Sequence, residues 1–159
     1  MRFATERAMQ EMYCGAIKEK TIRMLQHDVD WRQFRANSEK AITRAAEENE
    51  SYKNDYVLRV GKAREELLRK AGSLTHDHPT PVGTDRFDGD RINRLAQTKV
   101  RDDHERTLLA ILNDEITGYE DIEESIHARE NLRGRPTKEF GRTTDRRSGH
   151  DRRAPERPR

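Results

Sequence analysis

The first proline of the chain is Pro79, and the apolar residues before it return with a helical period. At 100° per residue, with Trp31 as zero, Phe34, Ala41, Ile42, Ala45, Tyr52, Tyr56, Val60, Ala63 and Leu67 fall within an arc of about 120°, the width of a core-facing stripe. The stripe runs backward in phase through Met24, Ile17, Ala16, Tyr13, Met12 and Met9. This predicts a long amphipathic helix over residues 1–72, on the order of 100 Å long if unbroken. A break is the competing reading: Asp30 would cap a new helix, with Gln33 three residues on as in a capping box. The preserved phase favours a bend at 28–30 over a loop. Arg69 and Lys70 in the last turn, Gly72 in the cap position and Pro79 and Pro81 beyond it form the stop signal.

Residues 73–89 carry two prolines, two glycines and several turn formers, so they read as a loop. A second long helix is predicted over 90–133, ended by Gly134 and Pro136. Its stripe is Val100, Leu108, Ile111, Leu112, Tyr119, Ile122 and Ile126, with Ile92, Leu95 and Ala96 on another side. Both stripes share an eleven-residue spacing, Phe34, Ala45, Tyr56, Leu67 in one and Val100, Ile111, Ile122 in the other, which favours nearly straight helix packing. The fold class is therefore all-α: an elongated antiparallel hairpin of long helices, or a helical bundle. Two narrow stripes leave their flanks bare, so the expected completion is oligomerisation or a helical partner.

Composition sharpens this picture. The 159 residues are 31% hydrophobic and 39% charged, with a mean hydropathy of -1.19, too polar for a thick globular core. The 32 Lys+Arg and 30 Asp+Glu nearly cancel, as on the solvated faces of helices, yet they are unevenly placed. Residues 133–159 hold ten basic and four acidic side chains, net +6, leaving −4 for residues 1–132. From 134 to 159 there is one aromatic, Phe140, and no aliphatic side chain larger than alanine, so a disordered basic tail is expected. No apolar run suits a membrane span or a secretory signal, and a single cysteine cannot form an internal disulfide; the expected setting is cytoplasmic, with no membrane partner.

Candidate chemistry follows from these elements. The expected partner-binding residues are those of the helix stripes: Trp31, Phe34, Tyr52, Tyr56, Leu67, Val100, Leu108, Ile111, Tyr119 and Ile122. In the tail, Arg142, Arg146, Arg147, Arg152 and Arg153 include two Asp-Arg-Arg units six residues apart, suited to nucleic-acid phosphates or an acidic protein surface. Phe140 alone offers no base-stacking platform. His76-Asp77-His78 is a two-histidine spacing too sparse for a closed metal site. Glu124-Ser-Ile-His127 resembles the Glu-x-x-His spacing of ferritin-like di-iron bundles, which implies a metal-binding bundle as a distant reading; a second such motif would have to come from another copy. Cys14 lies off the stripe, with no histidine nearby, and is expected at the surface.

Lys20, His27, Ser38 and Asn49 interrupt the first stripe, and His104 and Glu115 the second. Each is expected to meet a partner or lie at an open edge, since an unpaired buried polar group costs about 1–3 kcal/mol. Their expected use is to fix register rather than to catalyse. No catalytic residue and no cofactor is assigned. The sequence points to a non-enzymatic structural or adaptor protein, its rod binding itself or another helical protein and its tail an acidic partner; the alternative is a nucleic-acid-associated regulator acting through the tail.

Overall fold

The structure is a computed structural model that describes residues 2–77 and 89–134, with side chains described through Ala71 in the first of these segments. All its regular structure is helical: α1 (Arg2–Met24), α2 (Asp28–Asp77) and α3 (Gly89–Arg133). The second predicted helix matches α3 closely, and Gly134 closes it with its N–H on the Glu130 carbonyl at 3.0 Å. The first does not stay whole. The chain turns at Leu25, Gln26 and His27, so the break is a full stop between two helices rather than a bend.

The physical reason lies three residues from the predicted cap. His27 is the residue before α2, and Asp30 sits in the first turn, reaching back so that the His27 N–H donates to its Oδ2 at 3.3 Å. Asp30 thus fills the role of the acid in a capping box, not of the capping residue itself. The Arg129 guanidinium of α3 pairs with its other oxygen, and the carboxylate is 2% exposed. Gly72 does not end α2, which continues to Asp77. The predicted loop and tail fall largely on residues 78–88 and 135–159, outside the described residues.

With the break in place, the phase continuity through Met9, Met12, Tyr13 and Ala16 loses its meaning. Those four are exposed, and α1 instead turns Cys14, Ile17, Thr21 and Met24 inward, a three-four alternation typical of heptad packing. α1 and α2 each pack along α3 rather than along one another. α1 runs parallel to α3: Arg7 pairs with Glu105, Lys20 with Glu123 and Gln26 with Glu130. α2 runs antiparallel to it: Asp30 meets Arg129, Arg44 meets Asp114, Glu48 meets His104 and Glu66 meets Lys99.

The lengths are unequal, and this divides the rod. α1 is 23 residues, about 35 Å, whereas α2 is 50 residues, about 75 Å. α1 reaches down α3 as far as Phe3, whose ring lies 4.6 Å under the Arg106 guanidinium. Above that level three helices enclose a core of Cys14, Phe34, Ile116, Tyr119, Ile122 and Ile126. Below it, among the described residues, α2 and α3 pair alone around Ala63, Ala96 and Val100, flanked by Tyr52, Tyr56, Val60 and Leu67. Ile92 and Ala96 continue the Val100 face, while Leu95 remains about half exposed.

Candidate interaction surfaces

The stripe residues expected to bind partners mostly bind one another. Phe34, Val100, Ile111, Tyr119 and Ile122 are buried, and Tyr52, Tyr56, Leu67 and Leu108 are partly buried. Phe34 and Tyr119 pack with ring centroids 5.1 Å apart, and Trp31 meets the Phe34 edge at 6.1 Å while staying 38% exposed. Of the ten, Trp31 is the one that the described structure leaves open to a partner.

Cys14, expected at the surface, is buried at the junction of all three helices. Burial, followed by the negative charge of Glu115, pushes its thiol up to about 11. That is the opposite of a nucleophile's tuning. Glu115 also accepts the Tyr119 hydroxyl at 2.7 Å. Because that hydroxyl has one proton and gives it to the carboxylate, Ser38 donates to the Tyr119 oxygen at 2.5 Å. Burial raises the Tyr119 phenol well above its ordinary value, so it stays a donor.

The other polar interruptions are also accommodated. His104 lies 2.9 Å from Glu48 Oε1 through Nδ1 and stacks on Tyr52 at 3.9 Å, and Arg59 donates to the same Oε1 at 3.0 Å. Burial pushes the Glu48 carboxyl up, but Arg59 and then His104 outweigh it and leave it below its ordinary value. Lys20 pairs with the buried Glu123, to which Thr21 also donates at 2.8 Å. Asn49 is exposed at the edge of a cleft of about 200 Å³, lined by Ala41, Ala45, Leu108, Ile111 and Leu112 with Glu115 at its end. Sites that enclose drug-sized ligands run to roughly 300–1,000 Å³, so this opening is small.

Glu124 and His127 are both exposed, and His127 faces Glu130 of its own helix at 3.6 Å. Among the described residues no group of three or more His, Cys, Asp or Glu side chains gathers where it could hold a metal ion. His76 and His78 fall outside the described side chains, and Arg142, Arg146, Arg147, Arg152 and Arg153 lie outside the described residues. No helix among the described residues is long and apolar enough to cross a membrane.

Ile42, which the rotation puts at one edge of the core stripe, is 67% exposed on α2, as Met9 and Met12 are open on α1. What the stripe analysis missed is Val57, 82% exposed, and Leu58, also open. The signal was present as Ala46, Val57 and Leu68, another eleven-residue series on α2 offset from the core stripe. Compared with known proteins, the chain matches no family model, no curated protein and no solved structure.

Proposed function

We propose that this is a non-enzymatic, cytoplasmic structural or adaptor protein whose helical rod mediates protein–protein assembly and whose arginine-rich tail tethers to an acidic partner. The observation that carries the reading is the lower half of the rod. There the 50-residue α2 has one neighbour among the described residues, and Val57 and Leu58 are exposed. Apolar side chains this open favour burial by about 25 cal/mol per Å² of covered surface. The polar groups support the same reading, because Ser38, Tyr119, Glu115, His104 and Glu48 are spent on one another across helix contacts. A photo-crosslinking side chain placed at Val57 of the full chain tests the proposal in its own cells. Crosslinks to protein are expected, and a Val57 probe that captures no protein at all overturns it.

A second reading has its own observation, the net +6 of residues 133–159 with paired arginines at 146–147 and 152–153. In it the tail neutralises nucleic-acid phosphates without reading sequence. Binding to duplex DNA or RNA would then fall steeply between low and moderate salt and vanish on deleting 134–159. Salt-insensitive or absent binding removes this reading.

A further inference from the structure

α2 carries a ridge of exposed residues rising in steps of three and four: Glu39, Ile42, Ala46, Glu50, Lys53, Val57, Gly61 and Arg64. At 100° per residue it lies about 130° around the helix from the core-facing Phe34, Ala41 and Ala63. Ile42 and Ala46 on one side and Val57 and Gly61 on the other flank a central Glu50 and Lys53, Glu39 and Arg64 end the ridge, and these charges are idle. Among the described residues, Glu39, Glu50, Lys53 and Arg64 make no ion pair or hydrogen bond, whereas Arg44, Glu48 and Glu66 of the same helix are all engaged. Gly61 adds a second oddity. A glycine inside a helix costs about 1 kcal/mol relative to alanine. Yet nothing among the described residues comes within 4 Å of where its Cβ would be, so no contact among them requires it.

We infer that this ridge binds a second copy of the chain through an antiparallel α2–α2 contact in which Glu39 meets Arg64, Ile42 meets Gly61, Ala46 meets Val57 and Glu50 meets Lys53 of the second copy. The pattern is self-complementary under a two-fold axis, so every contact occurs twice. Gly61 and Ala46 leave the room that Ile42 and Val57 need to approach. The charges select the register. Sliding one copy by four residues in one direction sets Arg35 against Arg64 and Ala46 against Lys53; sliding it the other way sets Ile42 against Glu65 and Val57 against Glu50. The inference rests on the assembly reading and names its partner.

The test is the solution mass of the full chain, by sedimentation or light scattering, for the wild type, Glu39→Arg, Arg64→Glu and the double variant. Both sites are exposed, and unchanged helical circular dichroism checks the fold. The wild type is expected to be a dimer. Each single variant weakens it about tenfold or more, since two like-charge contacts replace two opposite ones, and the double variant restores it. A wild type that stays monomeric at about 100 µM overturns the inference, as does a dimer indifferent to the single changes or not rescued by the double. If the chain is monomeric while the Val57 probe captures a different protein, this inference fails and the assembly reading stands; if the probe captures nothing, both fail.

Discussion

Asn37 of α2 occupies the space where a side chain on Gly118 of α3 would begin. Its Oδ1 lies 2.1 Å from the position of an added Cβ, while its Nδ2 donates to the Glu115 carbonyl at 2.8 Å. Here the glycine serves close approach, letting a side-chain amide reach the backbone of the facing helix. Gly118→Ala is expected to displace Asn37 and lose that bond, destabilising the fold by about 1–2 kcal/mol despite alanine's better helix propensity. In an Asn37→Ala background the same substitution becomes stabilising. Denaturant midpoints of the four-member cycle measure this, and an unchanged sign in the two backgrounds defeats the account.

The helix faces of α2 and α3 were legible in the sequence because burial imposes the period directly: Phe34, Ala41, Ala63, Val100, Ile111 and Ile122 all lie where the rotation places them. α1 was not legible in the same way. Its inward face holds Cys14, Thr21 and half-buried Arg7 and Gln10, so a stripe drawn through Met9 and Met12 was greasier than the true one. Thr21 reaches 0% exposure with its hydroxyl placed between the Glu123 carboxylate at 2.8 Å and the Ile17 carbonyl at 2.9 Å, and the partner on the facing helix is one no single-helix pattern contains. The break at 25–27 was hidden for a related reason. Asp30 is both a capping acid and the partner of Arg129, and the second role depends on a residue 99 positions away.

Asp30 makes stability pH-dependent in a definite direction. Burial raises its pKa, but the Arg129 hydrogen bond and the His27 N–H overcome this and leave it below the ordinary 3.8. A carboxylate with a lowered folded value contributes stability that is fully present above its unfolded value and is lost as pH falls through the folded one. The stability curve is therefore expected to drop below about pH 4, and Asp30→Asn to flatten that limb while lowering stability at neutral pH by about 1–3 kcal/mol. Glu48 has the same sign, so part of the slope remains in the variant. Thermal melts from pH 3 to 7 give both curves, and identical acid limbs contradict the assignment.

Cys14 is expected to be a slow thiol. Raising it from 9.0 to about 11 leaves roughly a hundredfold less thiolate at pH 8, and burial closes the approach of a reagent. Labelling with an aromatic disulfide at pH 8 should then be slow in the native chain and accelerate with denaturant in step with loss of helicity. Fast, stoichiometric labelling of the native protein would place Cys14 outside the three-helix core.

The unequal number of neighbours along the rod sets a gradient of local stability. Residues 108–126 of α3 are flanked by both α1 and α2, and the core they share includes Phe34, Ile116, Tyr119 and Ile126. Among the described residues, 55–71 and 89–100 pack on each other alone, and their centre is two alanines and a valine. Large side chains bury about 1.5–3 kcal/mol each and alanines far less, so the lower half opens at a smaller free energy. The Glu66 carboxylate, drawn down to about 2 by Lys70 and then Lys99, does little to offset this, because the group is exposed and its ion pairs are screened by solvent. Amide hydrogen exchange is therefore expected to be fastest, within the two long helices, over 55–71 and 89–100, and slowest over 108–126. At concentrations where copies associate, the ridge from Glu39 to Arg64 gains protection while 89–100 of α3 changes little. Uniform exchange along α2 at every concentration would show that neither the missing third helix nor the second copy governs how this rod opens.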